Sequence, residues 1–289
     1  MQSLETRLDL DAIRHSAAGF LITPEMDFRK ETIYFIVIDR FHNSCADNDQ
    51  VGRRGLFDAS RTLWGHYWGG DLRGVIDKAD YLQSLGVTAI WLSPLFEQVD
   101  AIQHDRAPMH GYWTRDFKRI NPHFIASDDS TSLHQSWTLR ELVEVFHARG
   151  IKLILDIVCN HSSPDINGST GVVYDDGVLI ADFNNDTNNF YYHFPEISNW
   201  NDEFQLLHYE MLGLATFNDK NIAFRNYIKT AIAAWLDAGF DALRVDTVKH
   251  MPIWFWQEFV TDIRRRHPET FIFGEYGFGS PYDGRTLAY

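Results

Sequence analysis

The chain has 289 residues, of which 26 are Lys or Arg and 40 are Asp or Glu, so its formal net charge is −14. A hydrophobic content of 45% beside 23% charged residues is that of a globular protein and excludes bulk disorder, and the acidic balance argues against nucleic acid as the main ligand, because phosphate binding needs clustered Lys and Arg. No apolar run approaches the roughly 18 residues of a transmembrane helix, residues 1–20 show no apolar signal-type core, and two cysteines, Cys45 and Cys159, make neither a disulfide framework nor a zinc pattern. A cytoplasmic protein with free thiols and no membrane partner is the expectation. Aromatic residues reach 15%, and Trp and Tyr beyond what a core needs suit stacking on an uncharged, flat-faced ligand such as a sugar ring.

In chain order, short apolar runs at 33–39, 87–92, 152–158, 240–245 and 271–273 read as strands buried on both faces of a parallel sheet. Helical patterns separate them. Asp71 caps a helix with apolar positions Leu72, Val75, Ile76, Ala79, Leu82 and Leu85, stopped by Gly86. Thr138 and Glu141 form a capping-box pattern before Leu139, Leu142, Val143 and Phe146, stopped by Gly150. A third helix carries Ile222 to Leu236 and ends at Gly239; a fourth runs from about Pro252 to Arg266. Repeated strand–helix alternation predicts parallel βα units, and both an open doubly wound sheet and a closed barrel fit it. No glycine-rich phosphate loop follows any strand, which removes the main support for nucleotide binding. Residues 93–137 and 162–218, rich in Asn, Asp, His, Gly and aromatics, are too long for plain connections and read as functional.

In a parallel barrel the catalytic groups come from the C-terminal ends of strands. Those ends here carry Asp39, Asp156 to His161, Arg244 with Asp246, and Glu275. Arg244 and Asp246 are two apart and share one side of a strand, which sets a fixed positive charge beside a carboxylate and holds it ionised. Glu275 is flanked by Phe273, Tyr276 and Phe278, and an apolar setting raises a carboxyl pKa toward that of a general acid. One ionised and one protonated carboxyl on neighbouring strands describe a glycosidase pair. Structural ion pairs at a sheet rim use the same residue types, and spacing alone leaves both readings open.

Several ordered segments resemble one family. Residues 86–94 (GVTAIWLSP), 156–161 (DIVCNH), 239–250 (GFDALRVDTVKH) and 273–275 (FGE) are similar to conserved regions of the α-amylase superfamily, glycoside hydrolase family 13. Residues 110–117 (HGYWTRDF), followed by Asn121-Pro122, are most similar to its cyclodextrin glucanotransferase and maltogenic amylase branch. The resemblance implies an α/β fold, a TIM (β/α)8-type barrel with domain B inserted after strand 3. It implies a retaining hydrolase or transglycosylase acting on an α-glucan or maltooligosaccharide. Asp246 would be the nucleophile, Arg244 its charge partner, Glu275 the acid/base and Asp156 a support for Arg244. Tyr112 would stack on the sugar in the cleaved subsite and His161 would hydrogen-bond it, with Lys249 and His250 on the leaving-group side. Asn160 and the backbone carbonyl of His250 would bind calcium. The layout expected is an N-terminal extension over 1–30, barrel strands one to three over 31–161, domain B over 162–218, and strands four and five over 219–289.

The chain departs from the family pattern at three places. Thr216 stands where the family has a calcium-binding aspartate, and a hydroxyl is a poorer ligand for a hard cation. Asp39, Asn43, Asp47, Asn48, Asp49, Gly69 and Asp71 are similar to a second calcium loop of the cyclodextrin-forming branch, without its clean spacing. Five strands are counted rather than eight, and no segment like the family's fourth region, which supplies a third catalytic carboxylate, is found in 279–289. An incomplete barrel is therefore expected, and with it two readings: an active α-glucan enzyme, or a catalytically incompetent fragment that at most binds sugar.

Overall fold

The computed structural model describes residues 27–164 and 171–277. Most of the expected N-terminal extension, part of the 162–218 stretch, Phe278 and residues 279–289 lie outside the described residues. The strands are β1 (Ile33–Ile36), β2 (Ala89–Leu92), β3 (Phe96–Gln98), β4 (Thr114–Ile120), β5 (Lys152–Val158), β6 (His161–Pro164), β7 (Val172–Asp175), β8 (Val178–Asp182), β9 (Leu214–Thr216), β10 (Ala242–Asp246) and β11 (Phe271–Gly274). The helices are α1 (Ile38–Phe41), α2 (Leu72–Asp77), α3 (Ala79–Ser84), α4 (Trp137–His147), α5 (Glu203–His208), α6 (Ile222–Asp237) and α7 (Ile253–Arg266). None of the described helices is long and apolar enough to cross a membrane.

All five apolar runs become strands of one parallel sheet, in the order β1-β2-β5-β10-β11. That spatial order is the chain order. A doubly wound sheet would reverse at a switch point, so the winding is that of a barrel wall, although the sheet does not close among the described residues. Side-chain alternation divides the strands between two environments. Ile36, Ile90, Leu92, Leu153, Leu155, Ile157, Leu243 and Val245 enter the main core with the helices. Ala89, Ile154 and Ala242 face the other way and pack with Phe28, Trp91, Phe271 and Phe273. Phe28 stacks on Phe271 at 4.6 Å, and Lys152 lies over the Phe28 ring while pairing with Glu31 at 2.7 Å. Aromatic packing thus covers the N-terminal end of this face. The charged groups gather at its C-terminal end.

Two helices differ from the sequence expectation, one by a break and one at its start. Asp71 does cap α2, accepting from the Gly74 N–H at 2.6 Å, but the run to Gly86 is two helices that part at Lys78, where the backbone tightens to a bond from Lys78 N–H to the Val75 carbonyl. At α4 the cap is Ser136, not Thr138. Asp129, brought in from the preceding loop, accepts from the N–H groups of Trp137 and Thr138 and from the Ser136 hydroxyl, so the first free donors are satisfied before Thr138 is reached. Glu141 then pairs with Arg73 at 2.7 Å instead of folding back. The ends behave as expected: Gly86, Gly150 and Gly239 have positive φ, and α7 follows Pro252.

The two long stretches are not irregular. They meet in one sheet of order β3-β4-β7-β8, in which Asp116 of β4 pairs with Tyr174 of β7, and β6 pairs with β9 in a second small ribbon. Trp235 of α6 ties the helical layer to this sheet through its indole N–H, which donates to the Phe117 carbonyl at 2.7 Å. Ser136→Ala is expected to lower unfolding stability by about 1 kcal/mol, the usual worth of an N-cap. Thr138→Ala should cost no cap energy. Urea unfolding of the two variants checks this, and the reverse ranking would restore the capping box.

Candidate active site

At the C-terminal end of the sheet, β5, β10 and the residue after β11 place Asp156, Arg244, Asp246 and Glu275 side by side. Parallel register sets Arg244 opposite Asp156 on one side and Phe273 on the other. The ladder runs one step beyond β11, since the Glu275 N–H donates to the Val245 carbonyl at 2.8 Å. The Arg244 guanidinium, only 8% exposed, binds all three acids. Nη1 donates to Asp156 at 2.8 and 3.1 Å and to Asp246 at 2.9 Å, and Nη2 donates to Glu275. Asp156 is fully buried and also accepts from the Trp91 indole at 2.9 Å and the Tyr112 hydroxyl at 2.8 Å. The guanidinium lies over the Trp91 ring, 5.1 Å from its centroid.

Burial pushes the Asp156 carboxyl up to about 7, with the Arg244 charge opposing it. Burial would lower Arg244, but the facing Asp156, Tyr112 and Asp246 outweigh it and raise it, so the guanidinium stays charged at every accessible pH. Glu275 is raised as well, first by burial, although its side chain is 51% exposed, and then by a hydrogen bond with Asp246, with Arg244 opposing. Its elevation therefore does not rest on the expected aromatic pocket alone. The ion pair to Arg244, absent from the sequence reading, works against it.

A cavity of about 370 Å³ opens over these groups. Its walls include Tyr112, His161, Asp246, Lys249, His250 and Glu275, so the structure brings together every residue expected to touch substrate except Arg244, which lies beneath them. His161 is buried, its imidazole pushed down to about 3 by burial and the nearby His250, and its Nε2 has no hydrogen-bond partner among the described residues. A neutral ring with a free nitrogen at a cavity wall is suited to a hydroxyl. The His250 ring donates from Nδ1 to the Leu206 carbonyl at 2.9 Å, and Lys249 reaches the Gly277 carbonyl at 2.7 Å. Trp113 does not line the cavity; it packs edge-on against His110 at 4.9 Å. Both cysteines are free, Cys159 fully buried, as expected.

The sequence reading missed Trp91, Trp200, Met211, Leu212 and Thr247. The alternation of β2, which sets Trp91 on the side of Ala89, could have found the first. Thr247 follows Asp246 with φ +51°, and Leu212, 73% exposed on the cavity rim, has φ +59°. A β-branched residue with positive φ is strained, and such strain gathers at functional sites. Nothing in the sequence signals it.

The residues of the expected calcium site fit a cation poorly. Asn160 Oδ1 is buried without a partner, but the Thr216 hydroxyl donates to the Tyr209 and Leu214 carbonyls, and no carboxylate stands in the set. Among the described residues no three His, Cys, Asp or Glu side chains converge on one point.

Acids held by a guanidinium at the C-terminal ends of parallel strands, under a cavity lined by aromatics and histidines, place this candidate site in the class of parallel α/β folds that carry polar groups at their strand ends. The family model of the α-amylase catalytic domain matches residues 35–281. A cyclomaltodextrin glucanotransferase of Thermoanaerobacterium thermosulfurigenes is 34% identical over 294 residues, covering 97% of this chain and 39% of that relative. Among solved structures, a γ-cyclomaltodextrin glucanotransferase from Bacillus clarkii superposes with TM-score 0.79 at 35% identity, over 89% of this chain and 37% of that one. An α-amylase from Geobacillus thermoleovorans, complexed with acarbose, gives 0.69 at 31% identity, over 88% and 48%. The chain belongs to the α-amylase catalytic-domain family. It spans about two fifths of the length of the curated relative.

Arg244→Met leaves Asp156 buried without its cation, which typically costs about 3–5 kcal/mol. With its carboxyl raised further, Asp156 is neutral at pH 5 and must be buried charged or take up a proton at pH 8, so the loss is expected to grow as pH rises. Urea unfolding at the two pH values checks the sign; an equal loss at both would show that Asp156 does not depend on Arg244.

Proposed function

We propose that the chain acts on α-glucosidic bonds of an α-glucan or maltooligosaccharide with retention of configuration. The observation that carries this reading is the single guanidinium that binds both Asp246 and Glu275 at the C-terminal end of the sheet. Two carboxyls bound to one guanidinium favour the retaining arrangement over the inverting one, in which the pair stands further apart to admit a water. Asp246 attacks the anomeric carbon as the glycosidic C–O bond breaks, and the leaving oxygen takes its electron pair and the proton of Glu275. Glu275, now a carboxylate, removes a proton from water or from an acceptor hydroxyl, whose oxygen displaces Asp246. Water gives hydrolysis and a sugar hydroxyl gives transfer. Tyr112, kept protonated by burial and the neighbouring Asp156 charge, offers its ring at the cavity wall. The names of the relatives supply the substrate class. They lend no support to an incompetent, merely sugar-binding chain.

Asp246→Asn and Glu275→Gln are each expected to reduce product release from maltoheptaose by more than about a thousandfold, the scale at which a nucleophile or acid/base is lost. Chromatography of products from the purified chain checks this, and full activity of Asp246→Asn would overturn the mechanism. Because Glu275 must carry a proton for the first step, the rate should fall as pH rises through its elevated pKa. His161, neutral above about pH 4, should set no limb near neutrality.

For calcium, we propose the loop around Asn43, Asn48, Asp49, Gly69 and Asp71 rather than Asn160. Asp49 and Asp71 are both raised by burial, Asp71 adds repulsion to Asp49, and among the described residues neither makes an ion pair. Asn48 is fully buried with Oδ1 unpartnered, and a Cβ on Gly69 would sit 2.3 Å from both Asn43 Nδ2 and Asp49 Oδ1. Asp71 accepts from the Gly74, Ser44 and Cys45 N–H groups and Asp49 from the Asn43 amide, so a cation would share oxygens that are already hydrogen-bonded, and hard oxygens of two carboxylates suit it. Calcium is expected to raise the melting temperature; Asp49→Asn should remove that shift and Asn160→Ala should leave it. The opposite pattern, read by calorimetric melting with and without chelator, would return the ion to Asn160.

A further inference from the structure

We infer that Gln205 is a positioning residue that fixes Trp200 over the cavity and so sets how the chain grips a glucan on the Lys249–His250 side; the inference rests on the glucan reading above. Trp200 is 48% exposed, lines the cavity with Glu275 and His250, and meets the His250 ring edge to face at 6.1 Å. An indole held this way offers a face to a sugar ring only if its loop is held too. The loop has no regular structure of its own. Backbone bonds tie its ends, Ile197 N–H to the Glu210 carbonyl at 2.9 Å and Asp202 N–H to the Asn199 carbonyl at 3.1 Å, and Asn199 Oδ1 accepts from the Asn201 N–H. The segment before Trp200 is held from the helix by Gln205, whose Oε1 accepts from the Ser198 N–H at 3.0 Å, the Asn199 N–H at 2.9 Å and the Ser198 hydroxyl at 3.2 Å. Two of the three donors are backbone N–H groups, so the acceptor must be the carboxamide oxygen.

The anchor is α5. Asp202 caps it through the N–H groups of Phe204 and Gln205, and the Gln205 carbonyl accepts from the Tyr209 N–H at 2.9 Å. The next residue, Leu206, is buried, and its carbonyl receives the His250 ring proton. Adjacent residues of one short helix therefore hold two walls of the same cavity, Trp200 through a side chain and His250 through a backbone carbonyl. The His250 turn is fixed from the other side by the Trp256 indole, which donates to the Val248 carbonyl at 2.8 Å. Without the Gln205 oxygen, three donors lose their partner and the indole loses its register with His250, while Asp246, Glu275 and Arg244, carried by the parallel sheet, stay in place.

The test compares Gln205→Leu, which removes the acceptor, with Gln205→Glu, which keeps it, in the full chain with maltoheptaose as probe. Calorimetric affinity for Gln205→Leu is expected to fall by up to about tenfold, the worth of one stacked ring, and in turnover the loss should fall on KM rather than kcat. Hydrogen exchange at the Ser198 and Asn199 amides and acrylamide quenching of Trp200 should both increase. Gln205→Glu should restore all four readouts. Unchanged binding by Gln205→Leu, or a Gln205→Glu variant as impaired as Gln205→Leu, would overturn the proposal. If the unsubstituted chain binds no maltooligosaccharide, the glucan reading falls, and amide exchange and quenching alone decide whether Gln205 holds the indole; no change in either would overturn that as well.

Discussion

The site depends on one buried cation shared among three acids. Arg244 binds Asp156, Asp246 and Glu275 at once, and with one positive charge it cannot neutralise three negative ones. The imbalance has a chemical consequence. Asp156, deepest and best supplied with donors, takes the firmest hold on the guanidinium through two contacts, with Trp91 and Tyr112 completing its shell. Asp246 and Glu275 compete for what remains, and Glu275, which also shares a hydrogen bond with Asp246, is pushed toward holding a proton. A charged hub set at the end of a parallel sheet thus separates the work of two similar carboxyls. Removing it would leave Asp156 buried with two neutral donors and no cation.

The parallel sheet makes this hub affordable. Helices cover one face of its strands with branched aliphatic residues, and on the other face Ala89 and Ala242 leave room for the Phe28, Phe271 and Phe273 rings that cover its lower end. Polar groups are therefore confined to the open, C-terminal end, where Asp156, Arg244 and Asp246 follow from strict two-residue alternation. The walls of the cavity come from elsewhere. The ribbon of β6 and β9, the strained turn at Thr247, and α5 with its attached Trp200 loop bring His161, Leu212, His250 and Trp200 around the acids. The rigid sheet sets the chemistry, and the less regular wall sets what it meets.

Much of this was legible before any coordinates. The strand at 152–158 matches β5 at both ends because seven consecutive residues suit burial on two faces, and Asp71 declares itself as a cap by its place before an apolar helical stripe. Arg244 and Asp246 were paired by spacing alone. The misreadings share one cause, a partner outside the element being read. Ser136 replaces Thr138 as a cap because Asp129 arrives from a loop, and Glu275 gains the ion pair with Arg244 only when β11 lies beside β10.

Local pattern is sufficient where the determining forces act between near neighbours. The amino-acid sequence by itself determined the five parallel strands, the helices between them, the acids at the strand ends, and through ordered segments the α-amylase resemblance. Only the tertiary structure decided that one guanidinium serves three carboxylates, that the two long stretches pair into a common sheet, and that a glutamine on a six-residue helix holds a tryptophan over the site. The first two join residues tens of positions apart and the third a loop to a helix six or seven residues on; all three depend on distance and desolvation, which exist only once the chain has folded.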